Sequence, residues 1–326
     1  MKNISDVVGI DVSKLKIDVC IYHTGKHQSF SNDNNGFTKM YRWVNSVGLL
    51  GDILVCFENT GYYSLSLAVF LEQNSLPFCM IAPIEIRRSL GLVRGKNDII
   101  DAYQIARYAW LHRDELECIP LAGRKVLSLA QLLKVRDQLV KQKNAFENML
   151  HAFEQTKELS DKTAITLIKQ QIDHIEKQIK KVEVAIEQLL NEQEFITNYT
   201  LLRTIKGVGL ILAAQLIAHT NNFQSFKQWR QFACYCGLAP FDYQSGSSIR
   251  GKTKVHPIAD KKVKSLLTMA AISAIQYEPQ LKAYYKRKVL AGKAKMSALN
   301  AVKCKLVARA FSVIKRQTPY VLLQAA

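Results

Sequence analysis

The stretch Val7-Val8-Gly9-Ile10-Asp11-Val12-Ser13-Lys14-Leu15-Lys16-Ile17-Asp18-Val19-Cys20-Ile21-Tyr22 decides the fold of the first third of the chain. Two β-rich runs, Val7–Asp11 and Ile17–Tyr22, are separated by Ser13-Lys14-Leu15-Lys16, which predicts a hairpin. Working outward, Gln28–Ser31 reads as a third strand and Asn34–Val47 as a helix. Ile53–Phe57 is a continuous apolar run, the pattern of a strand buried on both faces in a parallel sheet. Tyr63–Gln73 reads as a helix, Phe78–Ile81 as a short strand and Asp98–Leu111 as a helix. The order β-β-β-α-β-α-β-α predicts an α/β domain over residues 1–120, a mixed sheet with helices packed on it.

Downstream the periodicity changes from strand to helix. Ile165, Ile168, Ile172, Ile175, Ile179, Val182, Ile186 and Leu189 repeat with alternating 3,4 spacing, the signature of a coiled-coil seam. A weaker echo runs through Leu129, Leu132, Leu139, Phe146, Leu150 and Phe153, interrupted by Arg136 and Lys143. A turn at Glu158–Asp161, with Ser160 or Asp161 capping the next helix, makes residues 121–198 an all-α coiled-coil hairpin. Such a seam packs within its own chain or joins two chains, and its regularity on a charged helix favours dimerisation. Residues 199–326 read as mostly helical, with one Gly/Ser/Pro-rich interruption from Gly237 to Pro257.

Charge separates these segments functionally. Of the 326 residues, 45 are Lys or Arg and 27 Asp or Glu, a net charge of +18. Residues 1–119 carry 12 basic and 13 acidic residues, whereas residues 201–326 carry 21 and 3. So one-sided a field repels itself, and a polyanion that releases counterions on binding is its natural partner, with a merely soluble basic surface the plainer alternative. Seven cysteines without paired CxxC spacing argue against a zinc site and fit a reducing cytoplasm. No N-terminal apolar signal appears, and runs such as Leu210–Ala218 are too short to span a bilayer, so no membrane partner is expected.

Four acids are candidates for metal chemistry. Asp11 stands at the carboxyl end of the first strand and Glu58 just beyond the buried fourth. If these strands are parallel neighbours, both acids emerge at the sheet edge where open α/β sheets bind ligands. Asp98 and Asp101 lie three apart in the first turn of a helix and share a face. Converging carboxylates need a cation to stay ionised together, and oxygen donors without His or Cys select Mg²⁺ or Mn²⁺. Taken alone, Asp98 and Asp101 read first as first-turn residues that complement a helix dipole, and Asp11 as a turn cap; their combination on one frame is what points to a metal. Asp18 and Glu85 read as bystanders, the first pointing outward from its strand and the second near a loop.

Two further features belong to the basic segment. Lys206-Gly207-Val208-Gly209 between two helical runs has the form of a helix-hairpin-helix, in which Gly207 and Gly209 bring backbone N–H groups to a phosphate. The same spacing also suits a tight turn between packed helices. Gly237–Ser248 is a hydroxyl-rich loop followed by Arg250, Lys252, Lys254 and His256. A serine beside cations can attack a phosphodiester, and chemistry alone leaves Ser245, Ser247 and Ser248 equivalent; a solvated basic loop gripping backbone is the plainer alternative.

Taken in order, Gly9-Ile10-Asp11-Val12-Ser13-Lys14, Glu58-Asn59-Thr60-Gly61, Lys96-Asn97-Asp98 with Asp101-Ala102, the Gly-Val-Gly turn, and Gly237-Leu238-Ala239-Pro240 with Ser245-Gly246 resemble the DEDD transposases of the IS110 insertion-sequence family, the bridge-RNA-guided recombinases. The resemblance covers essentially the whole chain. It implies an N-terminal RuvC-like, RNase H-type domain whose Asp11, Glu58, Asp98 and Asp101 bind Mg²⁺. It also implies a C-terminal transposase domain whose Ser245 attacks DNA to form a phosphoserine intermediate. A structured bridge RNA that pairs with donor and target DNA, and homodimers assembling into a tetramer in which acids and serine come from different subunits, are implied by the same resemblance. So is a bacterial cytoplasmic, nucleoid-associated setting. The basic residues Lys206, Arg250, Lys252 and Lys254 then contact nucleic acid. Two rivals remain at this level: a RuvC-like junction-resolving nuclease in which water attacks, and a non-catalytic nucleic-acid-binding scaffold. An actin-like sugar kinase shares the Gly-Ile-Asp start, but the heptads and basic segment stand where its second phosphate-binding half belongs.

Overall fold

A computed structural model describes residues 4–47, 53–59, 61–89, 98–118, 121, 123–156, 158–245, 249–255 and 257–321; at residues 98, 99, 242–245, 249, 250 and 252–254 the description is of the backbone. Thr60, Lys96, Asn97, Gly246, Ser247, Ser248 and His256 lie outside the described residues. The chain divides into two compact units, Met1–Leu121 and Ala122–Ala326.

In the first unit, β1 (Asp6–Val12), β2 (Lys16–Ile21), β3 (His27–Ser31), β4 (Ile53–Glu58) and β5 (Phe78–Ile81) form one sheet in the order β3-β2-β1-β4-β5. β1 pairs antiparallel with β2 and parallel with β4, and β5 is parallel to β4. The β1–β2 turn closes as Ser13 N–H and Oγ–H donate to the Lys16 carbonyl at 3.0 and 2.8 Å. Alternation assigns the two faces. Val8, Ile10, Val12, Val55 and Phe57 pack with Phe37 and Met40 of α1 (Asn34–Ser46) and Leu67 and Leu71 of α2 (Tyr62–Gln73). Val7, Leu54, Cys56 and Ile81 pack on the other face with Ile86 of α3 (Pro83–Ser89) and Ile105 and Ala109 of α4 (Asp98–Leu111). α3 is absent from the sequence reading. Its single buried residue, Ile86, is too little for a periodicity to register, and Glu85, near a loop in the sequence, sits in its first turn.

One glycine sets how closely α4 approaches. A Cβ on Gly9 would lie 2.3 Å from the Ala106 nitrogen and 2.4 Å from the Ala102 carbonyl oxygen. Only hydrogen at this point of β1 lets the helix backbone rest on the strand.

The second unit begins with α5 (Arg124–Gln155) and α6 (Lys162–Leu190), packed against each other. The ion pairs Lys125–Glu192, Arg136–Glu183 (2.7 Å) and Lys143–Glu176 (2.6 Å) progress in opposite directions along the two helices, so they run antiparallel. Arg136 and Lys143, which interrupt the apolar echo on α5, are thus the residues that pair across to α6. Asp161 is the cap, accepting from Ala164 N–H at 2.9 Å. Ile168, Ile175 and Ile186 of the regular seam are buried, which the packing of this one chain accounts for without a second.

The rest comprises α7 (Ile196–Arg203), α8 (Leu210–His219), α9 (Trp229–Tyr235), β6 (Pro240–Ser245), β7 (Ile249–Val255), α10 (Lys261–Tyr277), α11 (Pro279–Leu290) and α12 (Lys295–Arg316). Their shared core includes Phe195, Leu202, Leu216, Phe232, Leu267 and Val302, joined by Leu129 and Leu133 of α5 and Ile186 and Leu190 of α6. The Gly/Ser/Pro-rich interruption is not an open loop: β6 and β7 pair antiparallel through most of it, with an irregularity between Phe241 and Tyr243. Phe241, Tyr243 and Val255 have the β propensity that outweighs the turn residues around them. Among the described residues no helix is long and apolar enough to cross a membrane.

Candidate functional site

The sheet brings two of the four acids to one edge. β1 and β4 are in register up to Ile10 opposite Phe57, so Asp11 and Glu58 follow at the carboxyl ends of neighbouring parallel strands. By alternation Asp11 shares its face with Val7 and Gly9, and Glu58 shares its face with Leu54 and Cys56, which is the face α4 covers. Both are partly exposed. Asp98 opens α4, and Asp101 precedes Ala102, whose carbonyl rests against Gly9. The Gly9 contact therefore holds the first turn of α4 beside the strand that carries Asp11. Among the described residues no three His, Cys, Asp or Glu side chains form a group able to hold a metal ion, and the Asp98 side chain is not among those described.

Asp18 is no outward-pointing bystander. It lies directly opposite Asp11 in the β1–β2 register and is 2% exposed. Ser29 donates its hydroxyl to Asp18 at 2.5 Å, Lys16 Nζ approaches to 3.1 Å and His27 Nε2 to 3.6 Å. The parity of the sequence reading holds, but the face opposite Ile17 and Val19 meets protein, not solvent: Tyr22, two strand positions beyond Cys20, stacks on Tyr103 and Trp110 of α4. With Lys16 and Ser29 on its oxygens, Asp18 ties β2 to β3. Glu85 accepts from the Tyr108 hydroxyl at 3.2 Å and ties α3 to α4.

In the second unit the Gly-Val-Gly turn separates two roles. Gly207 has φ +92°, and a Cβ there would meet the Ala270 carbonyl oxygen at 2.4 Å, so this glycine serves close packing on α10. Gly209 is exposed, caps α8 without a side-chain hydrogen bond and has open space where a Cβ would be. Lys206 and Arg203 are exposed nearby in sequence. An uncapped helix start flanked by cations is a phosphate-binding arrangement.

Ser245 ends β6, paired with Ile249 at the far end of the hairpin. Arg250 pairs with Gln244, Lys254 pairs with Phe241, and Lys252 lies between them on β7. The base of this hairpin is held by three residues that no motif flagged. Asp260 N–H donates to the Tyr235 carbonyl at 3.0 Å, His219 Nδ1 lies 3.0 Å from the Tyr235 hydroxyl, and His219 Nε2 lies 3.6 Å from Asp260. Asp260 also caps α10, accepting from Lys262 and Val263 N–H. Burial pushes the His219 pKa down against the pull of Asp260, and burial with Asp260 pushes Tyr235 up to about 12. On the preceding side, Asn300 Nδ2 donates to the Leu238 carbonyl at 2.7 Å. Spacings of 16 and 25 residues carry no sequence signal for this cluster.

Two of the three acids in residues 201–326 are engaged internally. Glu278 is fully buried with Arg309 at 2.7 Å, and Asp260 holds the hairpin base.

A family model described as "Transposase IS116/IS110/IS902 family" matches residues 199–286, and a DEDD model of the IS110 type described as "Transposase" matches residues 8–155. The chain is 28% identical to the "Pilin gene-inverting protein" of Moraxella bovis over 325 residues, covering 96% of this chain and 97% of that one. The protein of the same name from Moraxella lacunata matches over the same shares. An "Insertion element IS110 uncharacterized 43.6 kDa protein" of Streptomyces coelicolor is 28% identical over 119 residues, 36% of this chain and 29% of its own length.

Proposed function

The chain belongs to the IS110 family of transposases, and from that premise we propose that it cuts and rejoins DNA through a serine–phosphate link under the direction of a structured RNA. The enzyme is a DNA transposase or recombinase. The observation that carries the metal half of the reading is the emergence of Asp11 and Glu58 at the ends of paired parallel strands on the face covered by α4. DEDD transposases normally use divalent metal ions. The donor set fits one: Asp11, Glu58, Asp98 and Asp101 offer hard oxygens and no sulfur or nitrogen. Bound there, Mg²⁺ or Mn²⁺ supplies positive charge to a scissile phosphate.

Ser245 is the nucleophile in this reading. Its Oγ attacks phosphorus as the bond to the 3′ oxygen breaks; the serine proton is lost and the 3′ oxygen gains one. The products are a 5′-phosphoserine and a free 3′-hydroxyl. Attack by a 3′-hydroxyl on that link rejoins the strand and restores the serine, so the bond energy is conserved without ATP. Inversion, which the Moraxella proteins are named for, needs the same cutting and rejoining. Ser245 ends a hairpin strand whose base is tied by Tyr235, Asp260 and His219, which supports a fixed nucleophile more than a solvated loop. Arg250, Lys252 and Lys254 on the return strand contact the phosphate backbone, as do Lys206 and Gly209, while Gly207 packs on α10. The bridge RNA pairs with donor and target DNA, and the cationic second unit binds both. Exposed Val135, Met149, Leu167 and Val184 on the long helix pair offer the surface through which homodimers form and join into a tetramer.

The test is trapping of the covalent adduct with cognate DNA and RNA. Ser245→Ala abolishes the adduct and strand transfer while binding persists; retained transfer refutes the nucleophile. Asp11→Asn removes metal-dependent activity. A junction-resolving nuclease would use the same acids with water and would cleave in the Ser245→Ala variant. A non-catalytic scaffold would bind equally with every acid replaced.

A further inference from the structure

We propose that a groove between the α8–α9 connection and the end of α12 binds an unpaired nucleobase of the DNA substrate, as a site separate from the cleavage chemistry. The groove is about 830 Å³, within the usual range for a small-molecule or single-base site. Phe223, Phe226, Trp229 and Phe311 line it, with Lys227 and Lys315, and among the described lining residues there is no carboxylate. Aromatic faces with flanking cations are what a base and its phosphates require, since every base offers a face for stacking and every linkage a negative charge. A peptide occupant would find no acid here to pair with its own cations, and the net charge of the surrounding segment favours a polyanion.

The backbone beside the groove is an independent observation. Asn221, Asn222 and Phe223 all have left-handed conformations, with φ of +47°, +53° and +67°. Three successive non-glycine residues in this region are strained and persist only where their surroundings over-determine them. Those surroundings are present. Asn222 N–H donates to the Ile217 carbonyl at 2.8 Å, its side chain accepts from Asn198 at 2.8 Å and donates to the Glu194 carbonyl at 3.0 Å. Phe223 N–H donates to the fully buried Thr220 hydroxyl at 2.8 Å. The result is a Phe223 ring fixed edge-to-face against Phe311, 5.0 Å between centroids, at the groove wall. A rigid ring stacks a base without the entropy cost of ordering it first.

The inference rests on the enzyme acting on DNA and not on Ser245 or the four acids, so it is tested by binding alone. The 326-residue chain carries three tryptophans; replacing Trp43 and Trp110 with Phe leaves Trp229 as the reporter. Single-stranded DNA and a duplex with one bulged base are expected to quench Trp229 saturably, and a fully paired duplex of equal length to leave it unchanged. Trp229→Ala is expected to lower affinity for single-stranded DNA about tenfold more than for duplex, and Trp229→Phe to restore it. Photocrosslinking of 5-iododeoxyuridine to the Phe223–Trp229 peptide gives the same answer in the unaltered protein. Equal quenching by paired duplex, no quenching with no crosslink, equal loss of single-strand and duplex affinity in Trp229→Ala, or a response to RNA strands alone would each overturn the assignment.

Discussion

Replacing Gly9 with alanine tests the link between packing and chemistry most directly. The added Cβ would lie 2.3, 2.4 and 2.7 Å from the Ala106 nitrogen, the Ala102 carbonyl oxygen and the Ala106 Cα, against an ordinary contact of 3.4 Å or more. All three are backbone atoms, so no side chain can rotate away; α4 has to retreat by about 1 Å. Overpacking of this kind costs about 1–3 kcal/mol, and the buried contacts of Ile105 and Ala109 on the same helix make the upper part of that range the expectation. A domain of this size has a stability on the order of 5–15 kcal/mol, so the variant stays folded. Its activity falls much further, because Asp98 and Asp101 ride on the displaced helix while Asp11 and Glu58 stay on the sheet. A misplacement of about 1 Å lowers rates by roughly a hundredfold. Urea unfolding gives the stability change, and recombination at saturating metal gives the rate. Wild-type stability together with wild-type activity would refute the claim that the Gly9–α4 contact positions the acids.

The two glycines of the Gly-Val-Gly turn are expected to separate. Gly207→Ala, at φ +92° and against the Ala270 carbonyl, destabilises the second unit by about 2–4 kcal/mol, while Gly209→Ala, facing open space, changes stability by less than about 1 kcal/mol; thermal denaturation of both distinguishes them. Burial lowers the His219 pKa below its unfolded value, so the contribution of this group to stability is present above about pH 6.5 and is lost as pH falls toward the lowered value. His219→Gln should flatten that part of the stability–pH curve, and an unchanged slope between pH 7 and 5 would contradict the assignment. Glu278→Ala leaves Arg309 without its buried partner and costs about 3–5 kcal/mol in urea unfolding; a loss under about 1 kcal/mol would mean that water reaches the guanidinium.

Much of the first unit was legible because its elements are short and strongly patterned. Phe78–Ile81 and Asp98–Leu111 have the same bounds in sequence and structure, and the apolar run at Ile53–Phe57 is a parallel strand buried on both faces. The misreadings share one physical origin. Alternation states which side of a strand a residue occupies and not what covers that side, so Asp18 was placed correctly by parity and wrongly by environment. Turn-rich composition concealed β6 and β7, whose pairing is between two segments of the chain rather than within one periodic run.

The sequence by itself determined the chemical types: oxygen donors at strand ends, a serine among cations, and a last third with 21 basic and 3 acidic residues. These are local properties, readable from residue identity and spacing. Only the tertiary structure decided which groups lie together. It set Asp11 beside Glu58 through strand register, and brought α4 to them through a missing Cβ at Gly9. It engaged Glu278 and Asp260 internally, and it gathered His219, Tyr235 and Asp260 at the base of the serine hairpin. Such groupings depend on contacts between distant segments, and the interactions that create them leave no period or spacing in the chain.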